Sequence, residues 1–220
     1  MIFDEVSDNF NNVCLKRKEF ILENFIENVS ENSVLIERIY KLKDPKYYEL
    51  AEKNIQENFR WLINLAKDRS HILNLKDIKD INYNVLKNIT IGGILRNIEV
   101  RLSSSEYLPP APEEAYYQMK SFEENLKINK TKMEPLEYAC WAHCEFVRIH
   151  PFEDGNGRTA RAIMNYNIIQ AGCIPVVIKY KTRNEYIKAN NIYFETGDLK
   201  PFILFIQKLL KKQATVLNLI

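Results

Sequence analysis

Apolar residues in the first part of the chain recur at intervals of three and four, the spacing of one helix face. Phe10, Val13, Phe20, Ile21 and Phe25 predict a helix over residues 10–27. The polar run Ser30-Glu31-Asn32-Ser33 predicts a break, after which Val34, Leu35, Ile36, Ile39 and Leu42 predict a second helix over 33–42. Asp44-Pro45 opens another, because the fixed φ and missing N–H of proline suit a first helical turn. Its buried stripe is Tyr48, Ala51, Ile55, Phe59, Leu62 and Ala66. Residues 82–90 keep the helical pattern. The character then changes: Gly92-Gly93, an alternating NIEVRL and the pair Pro109-Pro110 read as a strand or hairpin. Helices resume from Pro112 to near Leu126, from Glu134 to Arg148, from Arg158 to Gln170, from Thr182 to near Phe194, and from Leu199 onward. The pattern predicts a mainly α protein with a small β-hairpin.

Composition supports this reading. Six glycines and eight prolines in 220 residues leave little turn punctuation. A formal net charge of +2, from 31 basic and 29 acidic residues, gives no single-sign field for holding a nucleic-acid backbone, so nucleic acid is not an expected partner. No apolar run reaches the roughly 20 residues of a membrane span, and no leader pattern opens the chain. The expectation is a soluble, cytoplasmic protein. Cys14, Cys140, Cys144 and Cys173 are scattered, as suits reduced thiols. Cys140, His143 and Cys144 lie one helical turn apart, which is half of a zinc site without a second half. Leu136 and Val147 on the same face favour core packing. The apolar faces of the terminal helices could be covered by the core or by a homodimer.

The chemistry concentrates in IHPFEDGNGRTARAIMN, residues 149–165. Pro151 ends the preceding helix and leaves His150 at a loop edge, where a neutral imidazole can accept the proton of an attacking hydroxyl. Gly155, Asn156 and Gly157 permit positive φ, and the amides from Gly155 to Arg158 at a helix start form a nest for anions. Asp154 sets a hard oxygen ligand beside that nest, of the kind Mg2+ takes along with phosphate oxygens and water. Arg158 and Arg161, three residues apart, can share a polyphosphate tail. A P-loop motif is absent.

HPFEDGNGRTAR, His150 to Arg161, matches His-Pro-Phe-x-(Asp or Glu)-Gly-Asn-Gly-Arg-x-x-Arg at every specified position, and so resembles the signature of Fic-domain proteins. The resemblance extends to GILR and YLPPAP, similar to the family's flap, to EPLEYACWAHCEFVRIHPF, similar to its approach helix, and to RNEYIKANNIYFETGDLKPFILFI, similar to its closing helices. It divides the chain into an N-terminal helical region (1–79), a Fic core (80–208) and a C-terminal helix end (209–220). The resemblance implies a Fic fold with a hairpin flap, and transfer of AMP from ATP, with Mg2+, to a Ser, Thr or Tyr hydroxyl of a protein target or of the chain itself. It implies His150 as base, Asp154 as the metal ligand, Arg158 on the β-phosphate and Arg161 on the γ-phosphate. Tyr186 and Asn190 or Asn191 would line the adenosine pocket, although core packing explains Tyr186 nearly as well. One residue more than is usual in the family separates Arg183 from Gly197. Arg101, Leu102 and Ser103 would offer a strand edge to which the target adds by β-augmentation. SVLIER, Ser33 to Arg38, is similar to the family's inhibitory Ser/Thr-x-x-x-Glu-Gly/Asn. Ser33 and Glu37 match and Arg38 departs, and the resemblance implies that Glu37 reaches Arg161. Ser-x-x-x-Glu alone is a common capping pattern. The rival functions are a Fic-fold transferase of another phosphate-containing group (UMP, phosphocholine or phosphate) and a catalytically quiet nucleotide-binding module.

Overall fold

The computed structural model describes residues 2–37, 45–102 and 105–220. Among these, α1 (Ile2–Asn11), α2 (Leu15–Ile36), α3 (Pro45–Leu65), α4 (Leu75–Leu86), α5 (Pro112–Lys132), α6 (Pro135–Ile149), α7 (Asn156–Gln170), α8 (Arg183–Thr196) and α9 (Lys200–Val216) build a bundle. The N-terminal signals are local. Pro112 and Pro135 stand in the first turns of α5 and α6. Asn74 and Asp77 close a capping box on α4, each side chain taking the other's backbone N–H at 3.0 Å.

α7 is the axis of the bundle. α6 makes the most extensive contact with it, and α3 and α4 also pack against it. α2 lies on α3, and α8 and α9 complete the shell. The sequence shows one apolar stripe on α7, yet every residue from Arg158 to Ile168 is buried. A polar helix can be buried all round only if its polar groups find partners inside. Asn165 illustrates how: its amide donates to the carbonyls of Arg161 and Val176, and its oxygen accepts from the Val176 N–H.

Two boundaries differ from the pattern. The break expected at Ser30–Ser33 does not form, and α2 continues to Ile36. Ser30 and Ser33 are buried, and the Ser30 hydroxyl donates to the Glu27 carbonyl at 2.9 Å, so the polar group is satisfied within the helix. The actual break falls at residues 12–14, inside the predicted helix 10–27, and the predicted helix 33–42 is in part the last turn of α2. Residues 38–44, including Arg38, lie outside the described residues. α4 runs without a break from Leu75 to Leu86.

The β-hairpin is the larger correction. Among the described residues, 89–111 contain no strand. The segment is tied by side chains where a ladder was expected: Arg96 donates to the carbonyls of Ile98 and Pro110, Asn82 accepts from the Gly93 N–H, and Pro109 and Pro110 have no N–H to contribute to a ladder. Ser103 lies outside the described residues.

Candidate active site

His150 caps α6 in the left-handed conformation, φ 51° and ψ 58°, an uncommon state for a residue with a side chain. The turn swings the chain off α6 into Pro151 and the loop that leads to α7. The imidazole Nδ1 lies 3.2 Å from the Val147 carbonyl. A carbonyl can only accept, so Nδ1 carries the proton and Nε2 holds the free lone pair. Burial lowers the pKa of this histidine, and Arg96 acts in the same direction, while the Val147 carbonyl, Glu37 and Asp154 oppose it. The net effect favours the neutral ring.

The loop from 151 to 155 is stitched from within. The Asn156 side chain accepts from the Phe152 N–H at 3.0 Å and donates to the Phe152 carbonyl at 2.7 Å, so this member of the nest is structural and buried. Gly155 has φ 77° and precedes α7 directly. The first N–H groups of α7 lack acceptors within the helix, and the positive end of the helix dipole adds to them.

Asp154 keeps its side chain 58% exposed while Oδ1 meets Arg158 Nη2 at 3.0 Å. Arg158 is buried, with a second, long contact of 3.5 Å to the Val85 carbonyl. Arg161 is more deeply committed. Its Nε donates to Ser33 Oγ at 2.9 Å, its Nη2 to the Ser33 carbonyl at 3.2 Å, and Nη2 pairs with Glu37 Oε1 at 2.9 Å. Burial alone would depress the guanidinium, and Glu37 and Tyr186 more than offset it. Nη1 is buried with no partner among the described residues. Glu37 itself sits over the start of α7, and a Cβ on Gly157 would overlap its Oε1. Only glycine admits the carboxylate there. An acidic group thus occupies the anion-favouring end of α7.

These residues open on a cavity of about 320 Å3. Glu37, His150, Asp154 and Gly155 to Gly157 line it together with Arg183, Tyr186, Ile187, Asn190, Asn191 and Phe194 of α8, and with Arg101 and Leu102. Arg158 and Arg161 lie behind this wall. Arg183 donates to the Ile36 carbonyl at 2.8 Å and so joins α8 to the end of α2. Tyr186 lines the cavity and also packs in an aromatic cluster with His143, Phe202 and Phe205. The Asn190 amide donates to the Tyr186 carbonyl at 2.8 Å, and its oxygen is buried with no partner among the described residues. His143 bonds the Tyr186 hydroxyl at 2.9 Å and stacks on Phe202, while Cys140 and Cys144 are buried free thiols. Cys140, His143 and Cys144 are all fully buried and pack within the core.

Sequence reasoning missed two residues that shape the site. Asn82 is fully buried; its amide donates to the Asp154 carbonyl at 3.0 Å and to Thr159 Oγ1 at 3.2 Å, and its oxygen accepts from the Gly93 N–H at 2.8 Å. An asparagine on the apolar stripe of Ile78, Ile81 and Val85 was the available signal. Arg96 was hidden in a run that reads as a strand.

Fold and site define a helical protein built around a histidine loop and a glycine-flanked helix start that open on one cavity. The chain is a Fic-domain protein: residues 72–168 match the family model described as Fic/DOC family. A protein adenylyltransferase Fic of Nematostella vectensis is 33% identical over 155 residues, covering 70% of this chain and 36% of that relative. The chain therefore spans well under two thirds of the length of the curated relatives it matches. A Fic-domain-containing signaling protein from Bacteroides thetaiotaomicron shares the fold with a TM-score of 0.84 at 19% identity, over 99% of this chain and 96% of that one. Fic-1 (residues 134–508) from C. elegans does so with a TM-score of 0.85 at 23% identity, over 98% and 69%.

Proposed function

We propose that the chain transfers AMP from ATP to a hydroxyl of a protein, releasing pyrophosphate. What supports this reading is that His150, its Nδ1 against the Val147 carbonyl, lines the same cavity as the start of α7, where free backbone N–H groups favour anions. The hydroxyl oxygen attacks the α-phosphorus, His150 Nε2 takes the hydroxyl proton, and the bond to the β-phosphate oxygen breaks. The amides at the start of α7 orient the phosphates, and Arg158 and Arg161 neutralise charge on the leaving pyrophosphate once released from their present partners. Asp154 fits Mg2+: a single exposed carboxylate is what this ion takes when phosphate oxygens and water supply its other ligands. Mg2+ bound there would neutralise phosphate charge.

Tyr186, Ile187, Asn190 and Phe194 make the wall suited to the nucleoside, and Arg101 and Leu102 stand where a target segment would enter. The target is a protein presenting Ser, Thr or Tyr beside the 89–111 segment, and a cytoplasmic setting suits the free thiols. Ser33 and Glu37 are the inhibitory pair that holds Arg161.

Incubation with ATP, UTP, CTP or GTP and Mg2+, read by intact mass of the chain and of candidate targets, tests the reading. Addition of one adenylyl group from ATP is the expected result. Addition of a uridylyl or phosphoryl group would replace it with the same-fold alternative, and binding without addition would make the chain a quiet nucleotide-binding module.

A further inference from the structure

We propose that Arg96 is a positioning residue that locks the His150 loop and both legs of the 89–111 segment into one unit, so that the base and the surface beside which a target enters are set together. The proposal rests on the reading of His150 as the base. Arg96 is only 5% exposed, and all its bonds go to backbone. Its Nε donates to the His150 carbonyl at 2.8 Å, and its own N–H donates to the Pro151 carbonyl at 2.9 Å. Nη1 donates to the carbonyl of Ile98 at 2.9 Å, and Nη2 to that of Pro110. One planar fork thus reaches three chain segments that no strand ladder joins.

The cost of this arrangement identifies it as more than packing. Among the described residues Arg96 pairs with no carboxylate, and burial depresses its pKa, with Glu99 acting the other way. A buried guanidinium without a counter-ion is expensive, and several carbonyls at good distance are what make it tolerable. None of those carbonyls lies within a helix or strand. His150 is left-handed and follows the last turn of α6, so its carbonyl has no helical partner. Pro151 cannot help, having no N–H. Arg96 completes this strained turn, and with the same side chain spans the gap from residue 98 to residue 110. Lysine could not do so, since an ammonium is a point donor on a flexible stem and cannot hold three fixed directions.

Arg96→Met and Arg96→Lys test the proposal, with amide hydrogen exchange of the free protein, ATP affinity measured without turnover, and transfer kinetics. In Arg96→Met the amides of 97–111 and of 148–153 should lose protection together, while α7 keeps its protection. ATP affinity should stay within about threefold, and kcat should fall about 100-fold, the loss expected from misplacing a catalytic group by about an ångström. Arg96→Lys should fold, retain the charge and recover only a small part of kcat. Loss of protection confined to 97–111 would make Arg96 an anchor of that segment alone and overturn the coupling. A fall in ATP affinity matching the fall in kcat would make it a general fold residue, and full activity in Arg96→Lys would show that charge alone suffices; either result overturns the proposal. If Arg96→Met does not fold, the exchange pattern and kcat of Arg96→Lys decide by the same criteria. Should the unmutated chain transfer no nucleotide, the function assignment fails while the exchange experiment still judges the coupling.

Discussion

Replacing Glu37 with glycine should raise AMP transfer and ATP affinity. The carboxylate stands over Gly157 and pairs with Arg161, so the polyphosphate must displace it before engaging either group. The free energy of that displacement is set by the Oε1–Nη2 contact of 2.9 Å, in which the guanidinium is 2% exposed and the carboxylate side chain 34%. A hydrogen bond to a charged group contributes about 1.5–3 kcal/mol. The exposed side of Glu37 is screened by solvent, which reduces the pair to about 1–2 kcal/mol. At about 1.4 kcal/mol per factor of ten, the gain is roughly 5- to 30-fold. Arg161 keeps its two bonds to Ser33 in the variant but loses its counter-ion. The unliganded variant should therefore melt lower, by about 2–4 °C per kcal/mol lost for a chain of this size. ATP should restore more stability to it than to the unmutated protein, since an anion replaces the missing carboxylate. Steady-state transfer at matched ATP and protein concentrations, with thermal melts at increasing ATP, reads both effects. Equal rates together with equal ATP-induced shifts would refute the reasoning and leave residues 33–37 as an ordinary helix end.

Three further outcomes follow from the site. His150→Ala should abolish transfer while leaving ATP affinity within a few-fold, because the imidazole moves a proton and holds no phosphate; parallel losses in both would remove the base assignment. Asp154→Ala should raise the Mg2+ concentration needed for half-maximal transfer, and also free Arg158 from its 3.0 Å partner; an unchanged Mg2+ titration would put the metal elsewhere. The acid limb of the pH–kcat/KM profile should fall below the ordinary imidazole value near ~6.5, since burial lowers the His150 pKa and the neutral form is the active base. A limb midpoint above that value would contradict the electrostatics of the loop.

Much of this protein is decided by short-range signals. Pro112 and Pro135 start helices, Pro151 ends one, and Asn74 with Asp77 caps another, because each acts on backbone groups within a turn of itself. The order His150, Asp154, Gly155 to Gly157, Arg158 and Arg161 is equally local: one loop and one helical turn hold the imidazole, the carboxylate and the glycine-flanked amides, so their spacing along the chain is their arrangement in space. What lies across the bundle was decided only by packing. Glu37 meets Arg161 because α2 runs unbroken through Ser30 to Ser33, a continuity that the polar run argued against and that buried serine hydroxyls make possible. The 89–111 segment alternates like a strand, but a strand needs a partner ladder, and the bundle supplies the fork of Arg96 in its place. α7 reads as a one-sided helix and is buried on all sides, since whether an asparagine or arginine can be interior depends on acceptors brought from distant segments. The identity of the chemical groups was legible in the sequence; which of them are held, hidden or released is a property of long-range contacts, and only the tertiary structure determines those.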